Sequence, residues 1–251
     1  MKLVLTYLFL CLLLACSPQD KDEDNSFQPV LFATITGGEA AKNIRLFNAG
    51  LSSHPYLETA RIWMSENEGS FIELQRNGQE YFGPDEQQVL FAASYHFRVV
   101  SENGSEMVCR TIVPPPVSLV TISTNVVSVE APGTVASILT WTPLGAGYAY
   151  AMRLECLENN PQAIDNSPGE FDRRNGLSQL EPQLLLLKDD FTFYGHHRLT
   201  VYAFDASLES LYFFDPADFR GLLRNPPDNV TGGKGFVTGV SKFEVDIQIN
   251  Q

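Results

Sequence analysis

Two adjacent histidines, His196 and His197, are the side chains of this chain best suited by type to a metal or a mobile proton. On a strand, neighbouring residues point to opposite faces, so such a pair cannot easily share one ion. A zinc site also needs three or four ligands at set spacing, and no thiol or carboxylate spacing here supplies them. Asp189-Asp190, and Asp215 with Asp218, are the candidate calcium ligands. Neither group shows the alternating oxygen ligands and the glycine of a calcium loop. No Gly-x-Ser-x-Gly elbow presents a nucleophilic serine. The 30 acidic residues offer many carboxylate pairs, but glycoside hydrolysis depends on a separation that sequence does not report. Trp63 and Trp141 are candidate sugar-stacking side chains. Both lie beside apolar neighbours and are expected in cores. The expectation is no catalytic residue, no cofactor and no metal site.

The one residue with a chemical fate written around it is Cys16. Met1-Lys2 supplies a positive tip, Leu3 to Leu14 are almost all apolar, and Ala15 precedes the cysteine. This is the plan of a signal peptide spanning residues 1–15. The apolar stretch is about a dozen residues, short of the roughly 20 that a spanning helix needs. Leu13-Leu14-Ala15-Cys16 is the lipobox pattern, in which the small alanine admits the peptidase and the thiol accepts diacylglycerol. Each buried methylene contributes about 0.8 kcal/mol, so several acyl chains anchor durably. Residues 16–26 then form a lipidated tether. Ser17 to Asn25 contain no large apolar side chain and cannot pack. Lys21 followed by acidic residues resembles a surface-export signal, which predicts an outer-membrane lipoprotein on the cell surface; a plain hydrophilic spacer on the periplasmic side is the other reading.

With 17 basic and 30 acidic residues, the chain carries a net charge of −13. Loss of the signal peptide removes only Lys2 and leaves the remainder one unit more negative. That charge disfavours nucleic acid and anionic lipid surfaces as partners. Seventeen Phe and nine Tyr suit strands more than helices.

Residues 27–113 read as an N-terminal sandwich. Leu31 to Thr36 alternate and then meet Gly37-Gly38. Arg61 to Met64 and Phe71 to Leu74 flank a turn at Glu66-Asn67-Glu68-Gly69. Tyr95 to Val100 and Met107 to Val113 flank Asn103-Gly104, a strong hairpin signal. About seven strands in this span predict an immunoglobulin-like sandwich. Pro114-Pro115-Pro116 forms a stiff connector. Residues 117–251 read as a second β-sandwich. Ser137 to Trp141 precede a strand in which Tyr148, Tyr150, Met152, Leu154 and Cys156 share one apolar face. A tryptophan ending one strand, with alternating tyrosines on the next, resembles a fibronectin type III core. Residues 158–182 predict a long loop, and Leu184 to Leu187 and Leu199 to Phe204 further strands. Ala206 to Leu223 has helical spacing interrupted by Pro216. The last strands are expected near Phe236-Val237 and Phe243 to Ile249. Cys109 and Cys156 then fall in separate cores, too far apart for a disulfide, as free buried thiols.

Three segments resemble one family, the Bacteroidota lipoproteins of domain of unknown function 4249. They are Val30 to Thr36, Tyr95 to Val117 with its proline exit, and Pro227 to Gly239 with its Asn, paired Gly and Gly-aromatic. Lys234 stands where that family usually has an apolar or small residue, and Val237 where a second aromatic is common. The resemblance implies a cell-envelope lipoprotein, often encoded beside TonB-dependent outer-membrane transporters, and brings no catalytic residues. Gly232, Gly233, Gly235 and Gly239 suit either an anion-binding nest of backbone N–H groups or a tightly packed turn before the last strand. The spacing matches no P-loop or dinucleotide fingerprint, which favours the turn.

The leading expectation is a non-enzymatic accessory or binding component of a TonB-dependent transport system, held to the membrane by lipid. A glycan- or surface-binding adhesin is the alternative from another class, and a glycan-active enzyme the third.

Overall fold

A computed structural model describes residues 29–48, 59–84, 87–102, 104–128, 135–164, 182–211 and 229–250. The signal peptide, Cys16, the tether, Asp215 and Asp218 lie outside these residues, as does most of the long loop predicted over 158–182.

The described chain is all β, with two short 3-10 turns at Lys188–Asp190 and Ala206–Leu211. The first half supplies β1 (Pro29–Thr36), β2 (Ile44–Asn48), β3 (Arg61–Glu66), β4 (Ile72–Glu73), β5 (Gln75–Asn77), β6 (Glu80–Phe82), β7 (Ser94–Val100) and β8 (Glu106–Ile112). The second half supplies β9 (Thr121–Ile122), β10 (Val126–Ser128), β11 (Val135–Thr140), β12 (Tyr148–Cys156), β13 (Gln183–Leu187), β14 (Gly195–Asp205), β15 (Val230–Thr231) and β16 (Lys234–Asn250).

These strands make three sheets. The largest runs β12-β14-β16-β1-β2-β6-β5, with β10 also on β16. A five-stranded sheet, β15-β8-β7-β3-β4, faces one half of it, and a three-stranded sheet, β13-β11-β9, faces the other. Leu31, Ile35, Ile44 and Leu46 of the large sheet meet Ile62, Tyr95, Phe97 and Met107 of the five-stranded sheet in a first core. Tyr150, Leu154, Leu199 and Ile247 meet Leu139, Leu184 and Leu186 in a second. Each such fully buried side chain contributes about 1.5–3 kcal/mol.

The predicted hairpins form as the turn chemistry requires. Asn67 and Glu68 take consecutive positive φ values of 47° and 63°, and Gly69 N–H donates to Glu66 O at 2.8 Å. Gly104 has φ +82° and donates to Ser101 O. At the start of β7, Tyr95 accepts from Leu90 N–H at 2.7 Å and donates to Glu66, which ties the β7 entry to the β3 turn.

Three expectations need correction. The closing strand is one continuous element rather than two short strands. β16 pairs with β1 in parallel over Lys234–Val240, then antiparallel with β14 over Val240–Ile249. Residues placed by the sequence reading in the 117–251 sandwich therefore complete the sheet that begins at Pro29. Second, Ala206–Leu211 is a 3-10 turn, not an α-helix, and the rest of the predicted helix lies outside the described residues. Its Leu208 packs on Ala149, Ala151, Phe204 and Val240, so β12 is buried on both faces near its start. Third, Trp63 is not in a core. Ile62 and Met64 point inward, and the strand alternation sends Trp63 out. Trp141 is buried as expected, edge-on to Tyr150 at 5.1 Å.

Candidate functional site

The geometry that organises the molecule is the path of β16. Its first seven residues need close approach to β1 and β8, and the glycine motif supplies it. Gly235 has φ +118°, a conformation that side chains reject, and a Cβ there would lie 2.8 Å from both the carbonyl carbon and the nitrogen of Leu31. At Gly239 a Cβ would lie 2.7 Å from the Ile112 carbonyl carbon. Gly239 N–H instead donates to Thr111 Oγ1 at 2.7 Å. The motif is thus a packed crossing, the second of its two sequence readings: Gly232, Gly235 and Gly239 abut neighbouring backbone, and Gly233 abuts the Met107 side chain.

Asn229 completes this crossing. Its Nδ2 donates to Val237 O at 2.8 Å, and its Oδ1 accepts from Val237 N–H at 2.9 Å. The side-chain amide acts as a peptide group in the lane that β14 occupies farther along. Further on, Ser241 Oγ donates to Pro115 O at 2.9 Å and Gly37 N–H donates to Val240 O at 2.9 Å. The proline connector and the β1 turn are thereby stapled to the same strand, where the two cores meet.

A cleft of about 410 Å³ opens at this seam, on the face of the large sheet away from both cores. Thr34 and Thr36 of β1, Val240 and Lys242 of β16, Tyr202 of β14, and Glu39, Lys42 and Asn43 of the β1–β2 connection line it. Tyr202 and Lys242 are direct cross-strand neighbours. Glu39 holds both lysines: its Oε2 lies 2.6 Å from Lys42 Nζ and its Oε1 2.8 Å from Lys242 Nζ. Lys242 also reaches Glu244 at 3.3 Å. Burial pushes the Glu39 carboxyl up, but its bonds to Lys242 and Lys42 outweigh this and hold it below its usual value. Sequence reasoning missed this group. Its members come from three separate stretches brought together by the pairing of β16 with β1 and β14 across some 200 residues, and no local spacing announces them.

The outer face of the five-stranded sheet carries Trp63. Arg61 stands 4.8 Å from the ring centroid and Arg98 5.9 Å. Arg61 is forked onto Glu73, and Arg98 bonds Glu106 at 2.8 Å. The ring therefore packs under two paired guanidiniums, an arrangement of cation–π contacts rather than a bare stacking platform.

The other sequence candidates stay apart. His197 is buried and edge-on to Phe191, while His196 faces outward beside Asp246 at 3.7 Å. Asp190 accepts from Leu187 N–H at 2.6 Å, closing the 3-10 turn. Among the described residues no group of three His, Cys, Asp or Glu is placed to hold a metal. Cys109 and Cys156 form no disulfide, as expected, but only Cys109 is buried; Cys156, at the end of β12, is half-buried. Burial pushes the Cys109 thiol up to about 12. A maleimide at pH 7.5 should therefore modify Cys156 about 100-fold or more faster than Cys109, since the thiolate reacts. Comparable rates in the native protein would contradict the packing around Cys109.

Among the described residues no helix is long and apolar enough to cross a membrane. No protein-family model matches the chain, and no curated protein does. Among solved structures, the chain is similar to the FN1–FN3 domains of chicken CNTN1, at 12% identity over 88% of this chain and 67% of that one, with a TM-score of 0.24. Murine CEACAM1b gives 11% identity over 89% of this chain and 100% of that one, with a TM-score of 0.23. A 1.5-MDa bacterial ice-binding adhesin gives 8% identity over 90% of this chain and 65% of that one, also with a TM-score of 0.23.

Proposed function

We propose that this chain is an outer-membrane lipoprotein, cut before Cys16, anchored by lipid on that cysteine and exposed at the cell surface. It serves as a non-enzymatic accessory or binding component of a TonB-dependent transport system. The observation that carries the reading is the N-terminal plan: a basic tip, an apolar run, Ala15-Cys16, then a polar stretch leading to the first strand at Pro29. The three segments that resemble domain of unknown function 4249 support the same address and the transporter association. The fold is read as two immunoglobulin- or fibronectin-like domains, each including a part of the large sheet.

The path of β16 suits such a role. It starts at the end of the molecule where Pro29 begins β1, and it runs parallel to β1 into the second core. Seventeen residues at about 3.3 Å each span roughly 55 Å. A lipid at Cys16 would hold the first core near the bilayer, and the spine would carry the second core outward.

The test is a pull-down of the tagged, lipidated protein from its own membranes in mild detergent. Recovery of a large TonB-dependent barrel at near-equal stoichiometry is the expected result. Recovery of the protein alone, under conditions that keep known barrel complexes intact, would remove the transporter reading.

A further inference from the structure

We propose that the seam cleft binds a small hydroxylated carboxylate, with a hexuronic acid as its representative, which rests on the reading of this chain as a binding component. The charges lining the cleft are Lys42, Lys242 and Glu39. Glu244 touches Lys242 but does not line it. The lining residues sum to one positive charge, which Glu244 on Lys242 balances, so the group is neutral in a chain whose net charge is −13. Both ammonium groups already converge on one carboxylate, within hydrogen-bond distance of its two oxygens. A second carboxylate entering the cleft would meet the same two donors, and charge-assisted bonds of this kind are the stronger ones.

The rest of the lining selects the ligand's body. Thr34 and Thr36 offer hydroxyls, Asn43 an amide and Tyr202 a phenol, while Val240 is buried in the floor. Hydroxyl and amide groups match a ligand rich in hydroxyls, and the Tyr202 ring gives an apolar surface for the face of a sugar ring. An apolar cargo would leave these polar groups unpaired, at a cost of about 1–3 kcal/mol each. The volume falls in the range of roughly 300–1,000 Å³ typical of small-molecule sites. Its position also fits, since the walls come from both sides of the junction between the two cores.

The experiment is calorimetric titration of the purified full chain with D-glucuronate, D-glucose and acetate. Glucuronate should bind about 10-fold more tightly than either glucose or acetate. Lys42→Gln and Lys242→Gln should each weaken glucuronate about 5- to 10-fold and weaken glucose less. Both side chains are part-exposed, so these variants should keep the native thermal midpoint; Thr36→Val is a second probe, expected to weaken glucuronate and glucose alike. Equal affinity for glucose and glucuronate, wild-type binding in both lysine variants, or no heat from any probe at about 20 mM would overturn the proposal. A barrel recovered without glucuronate binding would sink the cleft alone, and glucuronate binding without a barrel would sink the transporter reading alone.

Discussion

Gly235→Ala should destabilise the protein by about 3–5 kcal/mol, among the largest effects of any single methyl group in this molecule. Two costs act together. The backbone at Gly235 has φ +118°, which an alanine reaches only with strain. The new methyl would also meet the Leu31 peptide, with the Leu31 nitrogen and carbonyl carbon each 2.8 Å away. Backbone on the neighbouring strand cannot swing aside as a side chain can, so the β1–β16 pairing itself must shift. Gly78→Ala is the matched control. Gly78 also has positive φ, +62°, but nothing lies within 4 Å of its added Cβ. It should cost about 1–2 kcal/mol from conformation alone. Chemical denaturation of both variants measures the difference. Equal losses at the two positions would mean that the close crossing of β16 does not hold the fold. Because β16 serves both cores, the loss should appear as one transition whether followed through Trp141 in the second core or through Tyr and Phe packing in the first.

Asn229→Ala should cost about 2–4 kcal/mol and lower the thermal midpoint by roughly 5–15 °C. The side-chain amide satisfies both the N–H and the C=O of Val237, whose side chain is fully buried. β14 does not reach this far along β16, since their pairing begins at Val240. Alanine leaves two backbone groups without their partner at a place that β14 does not reach. Asn229→Asp separates the two bonds. It keeps the acceptor for Val237 N–H but sets a carboxylate oxygen against Val237 O, so it should be at least as damaging as alanine at neutral pH and should partly recover in acid as the carboxyl protonates. An aspartate variant as stable as wild type would show that the donated bond contributes nothing.

The parts of the fold legible in the sequence are those set by local rules. Turn residues that tolerate positive φ, as at Asn67 and Gly104, placed the hairpins, and the alternation in Tyr95 to Val99 and Met107 to Val113 gave the buried face of β7 and β8. The same alternation placed Trp63 outward, because Ile62 and Met64 take the inward positions. Expecting it in a core gave its apolar neighbours more weight than the period of two. β2 went unread because Phe47, on the face opposite Ile44 and Leu46, is itself buried and blurs the pattern. β16 was split in two because Gly239 and Ser241 interrupt its apolar run. Those residues are small for reasons that lie elsewhere in the chain, at Ile112, Thr111 and Pro115. Cys156 shares the parity of Leu154, but β12 leaves the core at its end and only half buries the thiol. The seam cleft follows from the same long-range pairing: Thr36 and Lys242 are neighbours only because β1 and β16 run side by side.

The most direct test of the envelope-lipoprotein account is mass spectrometry of the N-terminal tryptic peptide of the protein purified from its own membranes. Lipidation at Cys16 gives a peptide that begins at Cys16 and ends at Lys21, with diacylglycerol on the sulfur and an acyl chain on the amine. A peptide that still spans the Ala15–Cys16 bond, or one that begins at Cys16 with a free thiol, would contradict it.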